Sequence, residues 1–182
     1  MSFTRHKSVA FGTNGADLDN YLKNQSPASD GIYYIEVTGL QAANLKGDPD
    51  NGKPSPLGKI LIANRTKKVA LKFGGGITGL TDMSYCFHEC ESLVQAPEIP
   101  ESVTDMKRCF QDCGKLTKAP PAIPKGVTNM EGCFYGCESL MQAPAIPANA
   151  AVTTMESCFQ NCVKLTQGPE IPASVKKMSS SR

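Results

Sequence analysis

One pattern of apolar positions recurs four times in the second half of the chain. Each copy reads close to V-T-x-M-x-x-C-F-x-x-C-x-x-L, with polar residues at most of the x positions. Its Met, first Cys, Phe and second Cys stand at i, i+3, i+4 and i+7, which is the spacing of one face of a short helix. We therefore predict that each copy supplies one layer of a shared core. This core ladder comprises Met83, Cys86, Phe87, Cys90, Leu93, Met106, Cys109, Phe110, Cys113, Leu116, Met130, Cys133, Phe134, Cys137, Leu140, Met155, Cys158, Phe159, Cys162 and Leu165.

The copies follow one another at a nearly constant period. The steps from Met83 to Met106, from Met106 to Met130 and from Met130 to Met155 are 23, 24 and 25 residues. Roughly 20 to 29 residues is the period of leucine-rich repeats. A single repeat cannot bury its own apolar side, so the copies must stack on one another. The predicted repeats are about 80–102, 103–126, 127–151 and 152–174, with a truncated fifth copy at 175–182.

The first part of the chain has a different pattern, with separate helix and strand periods. Leu18, Tyr21 and Leu22 share one helical face. Residues 32–38 alternate as a strand, and so do residues 68–73.

A second helix is predicted between the two strands. It opens at Ser55-Pro56, where Ser can cap and Pro loses no needed N–H, and it carries Leu57, Ile60 and Leu61. Strands joined by a crossover that contains a helix should be parallel. Residues 1–13 show no period and are predicted to form a loose leader.

These patterns predict an α/β fold with two regions. Residues 1–76 form an N-terminal α/β cap, and residues 77–182 form the repeats. The array is expected to be a right-handed leucine-rich-repeat solenoid with short parallel strands and short helical turns. Gly74-Gly75-Gly76 is interpreted as a flexible joint between the two regions.

The repeat resembles the leucine-rich repeats of BspA-like bacterial surface proteins. Residues 127–140 match one version of that repeat, and residues 93–103, with their I-P-x-S-V ending, match another. The chain departs from the family at Cys86, Cys109 and the two equivalent positions, where Ala or Met is usual. The resemblance implies a cell-surface or secreted protein that acts in binding or adhesion. No signal peptide is evident in this chain, so a cytoplasmic location is the alternative.

Charge and composition argue against several functions. A net charge of +2 does not favour nucleic acid as a partner. No apolar run has the roughly 20 residues of a spanning helix, so no membrane insertion is expected. With two His in the chain and no constant set of catalytic side chains, we expect no enzyme, no catalytic residue and no cofactor.

The eight cysteines all lie in the repeats and allow three interpretations. Buried thiols that act as small apolar side chains are favoured. Disulfides between neighbouring repeats would fit the expected spacing. A metal site is not expected, because C-x-x-x-C differs from the C-x-x-C of zinc and redox sites and because His88 occurs in one copy only.

The residues that follow each ladder Leu are the candidate binding positions. In a solenoid these short strands line one concave face, which would bind an unidentified protein or glycan or would simply face solvent. An assembly role is the alternative, with a homodimer formed through residues 152–182, and a thiol redox or zinc protein is favoured least. The concave-face pairs are Val94-Gln95, Thr117-Lys118, Met141-Gln142 and Thr166-Gln167.

Overall fold

A four-stranded parallel sheet joins the N-terminal region to the first repeat. The computed structural model describes residues 5–178 of the 182-residue chain. The strands lie in the order β1-β2-β3-β4, and every neighbouring pair is parallel. The elements are β1 (Lys7–Ala10), α1 (Ala16–Asn24), β2 (Ile32–Thr38), α2 (Pro56–Ala63), β3 (Lys68–Phe73) and β4 (Leu93–Gln95), with 3₁₀ turns at Thr13–Gly15 and Ala42–Asn44.

The regular elements of the cap form where local periodicity predicts them. Leu18 and Leu22 are buried on one side of α1, and Tyr33 lies with two other alternating side chains on the buried face of β2. The hydroxyl of Ser55 accepts the Gly58 N–H at 3.0 Å and so caps α2. The predicted parallel pairing of β2 and β3 is confirmed.

Two predictions for the cap are wrong. Residues 7–10 do not belong to a loose leader, because they form the edge strand β1, in which Val9 pairs with Val37. Only Val9 is buried in this four-residue strand, so the sequence has no period to reveal it. The centre of β3 does not alternate, because Val69, Ala70 and Leu71 are all buried. A central strand of a parallel sheet is covered on both faces.

The cap packs directly against the first repeat. Strand β3 pairs with β4, which belongs to the first repeat. The ring of Phe73 stacks on that of Phe87 with 6.5 Å between centroids. The Ser55 N–H donates to the Cys86 carbonyl at 3.1 Å, and the Ser55 hydroxyl donates to the same oxygen at 2.8 Å. The three glycines predicted as a flexible joint therefore connect two parts that share one sheet and one core.

The predicted short helices of the repeats are wrong. Within the described residues, the segment from Met83 to Cys90 and its equivalents form consecutive turns. The Met83 carbonyl accepts the Cys86 N–H, and the Phe87 carbonyl accepts the Cys90 N–H. In each turn the third residue has a positive φ, as a type II turn requires. These residues are Tyr85, Arg108, Gly132 and Ser157, two places after each Met, and Glu89, Asp112, Gly136 and Asn161, six places after it.

Alternate N–H groups of these turns bind the next repeat. The N–H groups of Met83, Tyr85, Phe87 and Glu89 donate to carbonyls of the second repeat at 2.8–2.9 Å. The second and third repeats continue the pattern, with Phe110 donating to the Cys133 carbonyl at 2.8 Å. Turns that lie flat and hydrogen-bond to their neighbours keep equivalent residues in columns. Two such turns in series also place the third, fourth and seventh residues after Met inward, which mimics the helical spacing.

The core ladder occupies these columns. Its phenylalanine rings stack with centroids 5.3, 5.2 and 5.5 Å apart from Phe87 to Phe159. All its members are buried except Leu165, which is half-buried. Asp82, Asp105 and Asn129 each accept the N–H two residues later at 2.8–2.9 Å, which shapes the entry into each layer.

Candidate binding surface

The concave-face pairs lie in register along one side of the stacked repeats. In β4, Leu93 is buried, while Val94 and Gln95 are half-buried. Gln95 forms a parallel bridge to Lys118, and the Thr117 N–H donates to the Val94 carbonyl at 2.9 Å. In the first three repeats a buried Leu therefore anchors the short extended segment, and the next two side chains lie toward the surface.

A groove of about 620 Å³ crosses the second, third and fourth repeats at this surface. Four members of the concave-face pairs line it: Thr117, Lys118, Gln142 and Gln167. Gln142 and Gln167 form a parallel bridge, so their side chains come from equivalent positions of neighbouring repeats. The groove is therefore continuous across repeats.

The other four members lie outside the groove lining. They are Val94, Gln95, Met141 and Thr166. Met141 is 57% exposed, which is unusual for a large apolar side chain. The Thr166 hydroxyl donates to the Met141 carbonyl at 3.3 Å, so it supports the stack.

The opposite wall of the groove was not predicted. It is formed by the segment that follows each short strand, and it includes Pro120, Pro121, Pro144, Pro169 and Glu170. Proline fixes its own backbone and offers no N–H, so this wall is stiff and mainly apolar. The available indication in the sequence was the Pro that recurs four residues after each ladder Leu, at Pro97, Pro120, Pro144 and Pro169.

The charges of the groove lie at its two ends. Lys118 belongs to the second repeat and Glu170 to the fourth, with the amide side chains of Gln142 and Gln167 between them. Neither charge takes part in an ion pair within residues 5–178. The groove thus offers a cation, neutral hydrogen-bonding groups and an anion in series.

The cysteine side chains are free thiols, and all eight are buried. In the second cysteine column the thiols of the second to fourth repeats donate to the Phe carbonyl of the preceding repeat, for example from Cys113 to Phe87 at 3.0 Å and from Cys137 to Phe110 at 3.1 Å. The Cys90 thiol of the first repeat donates to the Gly58 carbonyl of the cap at 3.5 Å. Burial raises the pKa of Cys162 to about 11. Burial also raises the pKa of Cys90 and Cys137 well above the usual thiol value. Protonated, enclosed thiols are poor nucleophiles and poor metal ligands.

One group of side chains has metal-ligand chemistry. Donor atoms of His88, Glu89 and Asp112 all lie within 4.8 Å of one another. His88 is buried, and its Nδ1 has no hydrogen-bond partner. Burial lowers the pKa of His88, although the Glu89 and Asp112 carboxylates act in the opposite direction; the nearby Arg108 cation lowers it further. Sequence reasoning missed the group because Asp112 comes from the next repeat.

No described helix is long and apolar enough to cross a membrane. A family model described as the BspA type leucine rich repeat region matches residues 81–181 in six copies. The sequence pattern predicts fewer repeats over this part of the chain, namely four full copies and a truncated fifth. Comparisons with curated proteins and with solved structures gave no match.

Proposed function

Because the chain belongs to the family of BspA-type leucine-rich repeats, we propose that it is a non-enzymatic interaction module of a bacterial surface protein. Repeats of this family suggest a role in protein interaction. In our proposal the stack is a right-handed solenoid that binds a protein or glycan through its concave face in adhesion. Its location is the cell surface or the surrounding medium.

The groove is the observation that carries this proposal. It spans three repeats, is lined by four of the predicted side chains, and has a stiff proline wall. A volume of about 620 Å³ falls in the range of ligand-binding clefts, roughly 300–1,000 Å³. Its unpaired end charges favour an extended partner with an acidic group near Lys118 and a basic group near Glu170.

A binding screen with concave-face variants tests the proposal. Host extracellular proteins and glycans are screened with the natural chain, and then with Gln142→Glu and Gln167→Glu. We expect at least a tenfold loss, about 1.4 kcal/mol, because a charge replaces a neutral hydrogen-bonding group in the groove. Gln25→Glu, an exposed site in the cap, is the matched control. Equal binding by groove and control variants would rule out this face.

Self-association through residues 152–182 is the second candidate. Exposed apolar side chains favour it: Val163 is 76% exposed, Ile171 41% and Met178 49%. Light scattering over a range of concentrations tests it, with Val163→Lys as the disrupting variant. A monomer at all concentrations would eliminate this candidate. A thiol redox or zinc function is disfavoured by the burial of all eight thiols.

A further inference from the structure

The third repeat differs from the others on the side of the turns. The two positive-φ positions of its turn segment carry Gly132 and Gly136, whereas every other complete repeat has side chains at both places. Tyr135 lies between them in the sequence and is half-buried. Above Gly132, a Cβ atom would come within 3.1 Å of the Arg108 Cγ. The Arg108 side chain therefore lies close over Gly132, and an open space lies beside Arg108 and Tyr135.

This space is a pocket of about 300 Å³, here called the Tyr135 pocket. It is lined by Arg108, Gln111, Glu131, Tyr135 and Glu156, together with the backbone of the two turns around it. None of these residues lines the concave groove. A volume near the lower end of the range for ligand sites suits one small ring rather than a chain.

Charged side chains line part of the Tyr135 pocket. Glu131 lies 3.8 Å from the Arg108 guanidinium and 3.7 Å from the Lys107 ammonium, which is outside the pocket lining. Glu156 has no ion pair among the described residues. The Arg108 charge is thus offset by Glu131, and the unpaired Glu156 carboxylate disfavours an anionic ligand.

The polar atoms offer both donors and acceptors. Arg108 Nη1 donates to Gln111 Oε1 at 3.1 Å, but its Nε has no partner. The Tyr135 hydroxyl accepts a hydrogen bond from Asn161 Nδ2 at 3.3 Å, which holds the ring in place. The Glu156 carboxylate can accept. Hydroxyl groups both donate and accept, so a ring bearing several hydroxyls fits this mixture.

We propose that the Tyr135 pocket binds a neutral pyranose, one hexose unit either free or at the end of a glycan. The C–H face of the sugar packs on the Tyr135 ring, whose π face is electron-rich. Its hydroxyl groups bind Glu156, Gln111 and the Arg108 guanidinium. The pocket shares no lining residue with the groove. Sugar binding by the pocket can therefore be tested independently of the function proposed above.

Nuclear magnetic resonance titration of the full chain tests this proposal. The probes are neutral methyl hexopyranosides, with glucose 6-phosphate and glucosamine as charged counterparts. We expect the neutral sugars alone to shift amide signals of residues 108–111, 131–136 and 156–157. Absence of shifts with every neutral sugar, or stronger binding of either charged sugar, would overturn the proposal.

Variants distinguish the pocket from an unspecific surface. Tyr135→Ala is expected to weaken binding about tenfold, whereas Tyr135→Phe retains most of it. Gly132→Arg fills the space with the side chain that the second repeat carries at the same place, where Arg108 has a φ of 51°. Because an added Cβ lies within 3.1 Å of the Arg108 Cγ, the amide spectrum of this variant is first checked for the native fold. In the folded variant, sugar binding should be lost. Unchanged binding in Gly132→Arg would contradict the site.

A control and a second set of probes complete the design. Gln25→Glu, at an exposed site in the cap, should leave sugar binding unchanged, and a loss equal to that of Tyr135→Ala would indicate an unspecific surface and overturn the proposal. Immobilised oligosaccharides distinguish a glycan ligand from a free sugar. They carry the bound hexose either as a terminal unit or as an internal unit. Binding to terminal units supports a glycan ligand, and binding to the free sugar alone supports a small-molecule ligand. Binding to internal units would contradict a pocket of this size.

Discussion

The cap and the repeats use backbone hydrogen bonds in opposite ways. In the cap, α1 and α2 bond within themselves, and β2 and β3 pair along six consecutive residues. In the repeats, alternate N–H groups of each turn segment reach into the next repeat. The cap can therefore lose one element with local damage, whereas each repeat depends on both of its neighbours.

The side chains follow the same contrast. The cap core mixes leucines from helices with alternating residues from strands. The repeat core consists of columns of identical residues, in which each thiol or aromatic ring lies next to the equivalent side chain of the neighbouring repeat. Identical side chains in a column share one environment, so a single change of conditions acts on all of them together. The comparison predicts that the repeats respond to such a change as a unit.

Of the changes considered, raising the pH is expected to lower the free energy of unfolding most, because it acts on the buried thiols of the repeats. An unfolded thiol loses its proton near pH 9, while burial holds the proton in the folded state to higher pH. Stability from these groups is therefore complete below pH 9 and is lost above it, at about 1.4 kcal/mol per pH unit for each thiol. The thiols with strongly raised pKa values are Cys90, Cys109, Cys113, Cys133, Cys137 and Cys158.

Six such groups give a slope of roughly 8 kcal/mol per pH unit, comparable with the whole stability of a small domain. We expect cooperative unfolding one to two pH units above 9, measured by urea denaturation at a series of pH values. A variant with Cys113 and Cys137 replaced by Ala should show a shallower slope. Equal slopes in the two proteins would show that the thiols are not responsible.

Truncating a central ring tests how far damage spreads. Phe134→Ala removes a side chain stacked between Phe110 and Phe159, and it should cost about 3–5 kcal/mol. Leu18→Ala in the cap should cost a similar amount, about 2–5 kcal/mol. The two variants should differ in how many residues lose protection from amide hydrogen exchange. Loss of protection in the second to fourth repeats is expected for Phe134→Ala, and loss near α1 for Leu18→Ala. Equal spread from both sites would refute the contrast.

Local patterns in the sequence predicted the helices and the two inner strands of the cap, but neither the edge strand β1 nor the conformation of the repeats. Strand β2 and helix α2 follow from alternation and from a Ser-Pro start, because their hydrogen bonds and packing are set by nearby residues. The turn segments mimic helical spacing, so periodicity indicated the buried side but not the conformation. Gly132 and Gly136 were the available clue, since both stand where φ is positive.

The candidate surface was predictable where it depends on the repeat period. The residues after each Leu were found because they occupy equivalent places, and Lys118 and Gln142 do line the groove. The proline wall, which includes Pro144, was missed because its approach to the strands depends on how each coil closes. Contacts between repeats, such as that of His88 with Asp112, depend on how neighbouring repeats are aligned. The sequence of a single repeat does not reveal this alignment.

Replacing turn glycines tests the conformation that distinguishes the repeats. Gly136→Ala places a Cβ at a φ of +72° and close to the Asp112 Oδ1, so we expect a loss of about 1–2 kcal/mol. Gly114 is the matched control, because its φ is not positive and no atom lies within 4 Å of an added Cβ. Gly114→Ala should be neutral or stabilising by up to about 1 kcal/mol. Thermal unfolding measures both, and equal losses would argue against the turn geometry.

Removing one thiol hydrogen bond is expected to cause the smallest loss of stability. These hydrogen bonds offer a reason why the second cysteine column carries Cys. The Cys137 thiol donates to the Phe110 carbonyl, which also accepts the Cys113 N–H within its own turn. Cys137→Ser keeps a small donor in place, whereas Cys137→Ala removes it. Since that carbonyl keeps one partner, removal should cost only about 1 kcal/mol. We therefore expect Ser to be more stable than Ala here, as measured by urea denaturation at neutral pH. If Ala were the more stable variant, the thiol would serve only to fill space.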